Sequence, residues 1–246
     1  MFEEYRTVSK KTKELDEFDE LIDELNKEKS IDDLNIIEIT FCLFSIEDGV
    51  IKTLLIKNAD EPYKGHWILP YKILKNKENV NEALEYIIYE NLNLSDVFYD
   101  QVCILSNIDA KSDENSIVIS YLGLINMLKF KKNLNDKISY EWFPINDIPK
   151  MAYQYELVIR ETSKKLKNCL MNLKNLKIIF PDSFSLSELQ STYERLLCKN
   201  FDRRNFRKKF IKCGFIEETG TINNNKNGRP AKLYKFKDEL EDINIF

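Results

Sequence analysis

Apolar residues along this chain recur in two rhythms, and the rhythm changes several times. Between residues 36 and 44 the text Ile-Ile-Glu-Ile-Thr-Phe-Cys-Leu-Phe is β-branched and aromatic, Glu47-Asp48-Gly49 is a turn signal, and Val50–Ile56 reads as the returning strand. A loop with Pro62 and Gly65 leads into a short apolar run, Trp67-Ile68-Leu69-Pro70. Further strands are predicted at 99–105, 116–125 and about 138–143, and helices at 79–92 and 155–171, where the apolar spacing turns helical. Strands outnumber helices in the first 150 residues, with helices inserted between them. This predicts an α+β sheet sandwich. Ahead of it, Leu15, Phe18, Ile22 and Leu25 recur at helical steps and predict an amphipathic helix of two to three turns.

The last quarter of the chain has a different pattern. Ser185 and Glu188 form a capping box that opens a helix with Leu186, Leu189, Tyr193, Leu196 and Leu197 on its apolar face. Asp202 caps a second helix, Arg203–Cys213, which closes at Gly214. Phe206, Phe210 and Cys213 share its inward stripe, whereas Arg204, Asn205, Lys208 and Lys212 lie opposite, with Arg203, Arg207 and Lys209 on the flanks. Ile211 falls on the polar side, against the pattern. Residues 215–220 and 231–236 then make a β-hairpin around the polar loop Thr221–Pro230. Helix, basic helix and hairpin is the order of a winged helix-turn-helix, whose second helix enters the major groove.

Charge sharpens this division. The 246 residues carry 37 Lys+Arg and 41 Asp+Glu, a net charge of −4. Residues 1–34 hold 6 basic against 12 acidic residues, a balance of −6, and residues 183–236 hold 12 against 5, a balance of +7. An acidic leader and a basic end suggest modules with different partners, and the pattern divides the chain at 1–34, 35–172 and 173–246. No apolar run reaches the roughly 18 residues of a membrane span, and the acidic start is unlike a signal peptide, so a cytoplasmic protein is expected. Five scattered cysteines without a C-x-x-C pair and a single histidine, His66, argue against a disulfide framework and against a zinc site.

Gly65-His66-Trp67-Ile68-Leu69-Pro70, followed by a helix ending Glu90-Asn91-Leu92-Asn93-Leu94, resembles a Nudix domain. In that family a glycine pair follows the Leu-Pro, and the helix presents three glutamates on one face. Converging carboxylates of this kind hold Mg²⁺, which activates water and neutralises a diphosphate. Here Tyr71-Lys72 replaces the glycine pair, Ile87 and Asn91 occupy two glutamate positions, and only Glu90 remains. Ile87 falls inside the apolar stripe, while Glu78, Glu82 and Glu85 lie on the opposite, solvated side. No catalytic residue, metal ligand or cofactor is therefore expected. The competing reading is a Mg²⁺-dependent hydrolase of nucleoside diphosphate derivatives such as ADP-ribose.

Leu186–Glu194, Phe201–Lys209 and Gly228–Tyr234, with Trp142–Pro149 between the two halves, closely resemble the Nudix-related transcriptional regulators. The resemblance implies a Nudix-like α/β/α sandwich with a C-terminal winged helix-turn-helix domain, acting as a repressor of NAD or sugar metabolism. It also implies a homodimer on a palindromic double-stranded DNA operator and an effector that is ADP-ribose-like or a sugar metabolite. The effector cleft would contain Trp67, Tyr71, Lys72 and Glu90. Operator recognition would fall to Arg203, Arg204, Asn205, Arg207 and Lys208, with Lys209, Lys212 and Arg229 on phosphates. The family often has an arginine-containing loop that meets ligand phosphates; here the stretch is Asp109-Ala110-Lys111-Ser112-Asp113-Glu114-Asn115, with one Lys and three acids.

Overall fold

Strand β1 (Ile36–Glu47) carries the architecture, because its alternating side chains feed two separate cores. Ile39, Phe41 and Leu43 point to one face of the sheet, and Cys42, Phe44 and Ile46 to the other. A computed structural model describes residues 36–95, 97–106, 116–133, 139–153, 155–223 and 230–240. The predicted leader helix, the loop 107–115 and Arg229 lie outside the described residues.

The chain reverses from β1 into β2 (Val50–Lys57) through Asp48 and Gly49, both at positive φ (51° and 70°), as a two-residue hairpin turn requires. β3 (Trp67–Ile68) pairs with β2, and β4 (Tyr71–Ile73) pairs with β1. β5 (Phe98–Ser106) and β6 (Ser116–Leu124) form an antiparallel pair, and β6 runs parallel to β1. β7 (Tyr140–Pro144) completes the seven-stranded mixed sheet beside β2. Gly123 of β6 is fixed by sterics: a Cβ there would collide with the Phe41 ring.

One face of the sheet is covered by α1 (Val80–Glu85), the π-helical turn Tyr86–Asn91 that continues it, and α2 (Met127–Asn133). Ala83, Leu84, Ile87 and Ile88 are buried there beside Phe130. The other face is covered by α3 (Tyr155–Met171) and α4 (Leu173–Ile179). Each fully buried Leu, Ile or Phe stabilises such layers by roughly 1.5–3 kcal/mol. The layers are the expected α/β/α sandwich. Helices α2 and α4 are additional to the sequence pattern, each only seven residues long.

The core under α3 continues into the C-terminal part through Phe180 and Phe184. There α5 (Leu186–Leu197), α6 (Arg203–Lys212) and the strands β8 (Phe184–Ser185), β9 (Ile216–Asn223) and β10 (Ala231–Phe236) form the winged helix. The Ser185–Glu188 capping box is present: Glu188 N–H donates to Ser185 Oγ at 3.2 Å, and Ser185 N–H to Glu188 Oε2 at 2.6 Å. The Gly49 turn packs on α5, where Arg195 Nη1 donates to the Gly49 carbonyl at 2.8 Å.

Glu38 on β1 is an ionisable residue on the α3 face, where the other polar groups, Thr40, Ser120 and Thr162, are neutral hydroxyls. Its carboxylate accepts a 2.8 Å hydrogen bond from the Tyr155 hydroxyl. Burial pushes its pKa from 4.5 up to about 7, and the Tyr155 bond offsets only part of that. Between those two values the folded chain holds a proton that the unfolded chain has lost. Stability therefore falls as pH rises through this window and levels off above it. Glu38→Gln should flatten the pH dependence between about 4.5 and 7 and stabilise the protein at pH 8 by roughly 3 kcal/mol at most. Urea unfolding of both proteins at pH 5 and pH 8 measures this; parallel curves would refute it.

Candidate functional site

A cleft of about 690 Å³ opens where the end of β2, the strand β4 and the π-helical turn meet. Tyr71 and Lys72 from β4 line it, as do Tyr86 and Asn91 from the turn and Lys57 and Asp60 from the end of β2 and the loop after it. Lys72 reaches across: its ammonium lies 4.2 Å from the centre of the Tyr86 ring and forms an ion pair with Glu78. The Glu78 carboxylate is held below its ordinary range, first by Lys72 and then by the Lys75 backbone N–H, which donates at 3.0 Å. Glu78 is thus a partner of the cleft's lysine rather than part of a solvated face. Glu82 also has a structural task, closing a capping box with Asn79 at the start of α1. Burial, followed by the nearby Tyr153, Glu38 and Asp60, raises the Tyr71 hydroxyl's pKa, so it remains a neutral hydrogen-bonding group.

The four residues expected in the cleft are not placed alike. Tyr71 and Lys72 line it. Trp67 stands behind it, half-buried, with the Lys57 ammonium 3.7 Å over its ring and Phe143 edge-on at 5.0 Å. Glu90 is exposed and is not among the lining residues, while Asn91 is. The backbone provides a reason. In the turn after Tyr86, Leu92 N–H donates to Ile87 C=O, a bond spanning five residues instead of four. The extra residue displaces the side chains that follow by up to about 100° from their α-helical positions. Lys57 and Lys75 are cleft residues that the sequence pattern did not single out, and Asn91, noted there only as standing in a glutamate position, lines the cleft with them.

The resemblance to Nudix domains raises the question of Mg²⁺, and these residues do not fit it. Octahedral Mg²⁺ takes hard oxygen ligands, usually with at least one or two carboxylates. Ile87 is fully buried in the core, Asn91 offers a neutral amide, and Glu90 faces solvent. Among the described residues no three His, Cys, Asp or Glu side chains come together in a way that could hold a metal. An ammonium, Lys72, stands in the cleft where a cation would otherwise have to bind.

The second surface lies on α6. Asp202 caps it, accepting from Asn205 N–H at 2.8 Å. Phe206 and Phe210 are buried against Tyr193, with ring centroids 5.9 and 5.6 Å away. That fixes the opposite side: Arg203, Arg204, Asn205, Arg207, Lys208 and Lys212 are exposed, and Lys209 is half-buried. Ile211 is exposed among them, as its position in the pattern implied. Cys213 is exposed instead of inward-facing, because the helix ends at Lys212 and the chain turns away through Gly214 at φ 70°. In the wing, Glu218 pairs with Lys232 and Glu217 with Lys235, so the acids of β9 are matched by lysines of β10. No helix among the described residues is long and apolar enough to cross a membrane.

Comparison with known proteins bears on both surfaces. Residues 179–236 match the family described as the NrtR DNA-binding winged helix domain. The ADPR responsive transcriptional repressor NtrR of Acinetobacter baylyi is 26% identical over 213 residues, 84% of each chain. An ADP-ribose pyrophosphatase of Methanocaldococcus jannaschii is 30% identical over 119 residues, covering 46% of this chain and 69% of its own. The crystal structure of Shewanella oneidensis NrtR complexed with a 27mer DNA has a TM-score of 0.66 at 23% identity, over 82% of this chain and 93% of that one. That likeness is one of fold.

Proposed function

Because this chain belongs to the Nudix-related transcriptional regulators, in which a Nudix-like domain carries a C-terminal winged helix, we propose that it is a DNA-binding repressor whose Nudix-like domain senses a metabolite without hydrolysing it. The observation that carries this is the exposed basic face of α6, held outward by Phe206 and Phe210 and followed by the β9–β10 wing. We divide the chain accordingly into a leader at 1–34, a sensor at 35–172 and a DNA-binding part at 173–246. The name of the Acinetobacter relative supports ADP-ribose as the effector, and the lysines of the cleft suit its diphosphate. The loss of carboxylates at 87 and 91 argues against a hydrolase, although the Methanocaldococcus relative is one.

Recognition divides between base edges and phosphates. An arginine pairs with guanine and an asparagine with adenine through two hydrogen bonds, each such pair discriminating by about 1–3 kcal/mol. We assign this role to Arg203, Arg204, Asn205, Arg207 and Lys208. Lys209, Lys212 and Arg229 hold phosphates, contacts that are blind to sequence and weaken with salt. The helix N-terminus capped by Asp202 adds backbone N–H groups suited to a phosphate. A homodimer on a palindromic operator links two such helices and raises affinity through effective concentration.

Gel-shift titration at two salt concentrations tests the assignment. Arg204→Ala or Asn205→Ala should reduce discrimination between operator and random DNA by about 1–3 kcal/mol. Lys212→Ala should weaken both equally and lower the salt slope by about one. Equal losses on all sequences for all three variants would instead mean nonspecific adhesion. Light scattering at tens of micromolar should show a dimer, with and without DNA; a monomer in both conditions counts against the two-helix arrangement.

A further inference from the structure

The cleft holds an excess of positive charge where the fold's hydrolytic members place a metal. Lys57, Lys72 and Lys75 line it, and Asp60 is the sole carboxylate among the described lining residues. Lys72 extends from β4, whose pairing with β1 fixes its backbone: Lys72 lies opposite Ile39. Its ammonium is steered inward by the Tyr86 ring at 4.2 Å and held by Glu78. Lys57 is similarly tethered, over Trp67 and donating to the Gly65 carbonyl at 3.0 Å. Beside them the Asn91 Oδ1 is buried and has no hydrogen-bond partner, an acceptor awaiting a donor.

We propose that Lys72, assisted by Lys57 and Lys75, supplies the positive charge that a divalent metal supplies elsewhere in this fold, so that the cleft binds the diphosphate of a nucleotide ligand without metal. Glu78 is then the built-in counter-ion that the ligand's phosphate displaces from Lys72. This rests on the reading of the cleft as the effector site. It explains the departures at Tyr71-Lys72, Ile87 and Asn91 together. A glycine pair cannot carry a cation, and Tyr71-Lys72 does. A glutamate at 87 would compete with a phosphate for the lysines, and Ile87 is instead committed to the core. A glutamate at 91 would repel the ligand, whereas the Asn91 amide oxygen can accept from a ligand hydroxyl. A Mg²⁺ ion entering beside Lys72 would meet like charge and too few carboxylates.

Calorimetry on the full chain, with ADP-ribose and with inorganic pyrophosphate as the simpler probe, in EDTA and in excess Mg²⁺, tests this. Affinity should be the same in both buffers within about twofold. Lys72→Ala should weaken binding about tenfold or more, and Lys72→Arg should retain most of it, as expected for a charge-assisted contact. Glu78→Gln, which frees Lys72 while keeping an acceptor for the Lys75 N–H, should tighten binding several-fold. This variant reads out the same contact even if Lys72→Ala fails to fold. Binding that requires Mg²⁺, or Lys72→Ala and Glu78→Gln that both bind as the parent does in EDTA, overturns the lysine assignment and leaves the cleft as the effector site. No binding of either probe in either buffer overturns both.

Discussion

The alternation of side chains along β1 is the constraint on which the rest of the structure depends. One strand of twelve residues pairs with β2, β4 and β6 and sends alternate residues into cores on both faces of the sheet. A shift of one residue in its pairing would exchange those faces, exposing Phe41 to the α3 side and Phe44 to the α1 side. Gly123 shows how closely the register is specified, since only a residue without a Cβ fits under Phe41. The cleft inherits this precision: β4 is held by β1, and Lys72 by β4.

Much of this framework is written in local residue choices. The β-branched run at 36–44, the Asp48-Gly49 turn and the returning strand specify the hairpin. Ser185, Glu188 and Asp202 specify where two helices begin, and the Phe206–Phe210 spacing specifies which face of α6 looks outward. These features depend on neighbours a few residues apart, so they can be read from a single sequence. α2 and α4 could not be: seven residues make too few turns for a periodic signal, and tertiary burial of Phe130, Leu173, Leu176 and Ile179 holds them in place.

The cleft was only half legible, for a related reason. Tyr71 and Lys72 stood out because they interrupt a recognisable motif. Lys57 and Lys75 look like ordinary solvated lysines in sequence, and only the fold brings them beside Lys72. The exchange of Glu90 for Asn91 as a lining residue has a different origin. Polarity patterns assume 3.6 residues per turn, and nothing in them announces the five-residue hydrogen bond from Leu92 to Ile87. Asn93, at φ 50°, follows the turn, which suits asparagine's tolerance of the left-handed region.

The tip of a β-hairpin is usually the part of a fold most indifferent to what is attached to it. Here Gly49 lies beneath α5, and its carbonyl is occupied by Arg195. A fluorescent label, an epitope or a spliced-in loop at residues 48–49 would wedge between the sheet and the helix instead of hanging free in solvent. A label meant to leave the packing of sheet and winged helix undisturbed should therefore be attached elsewhere, with this turn left intact.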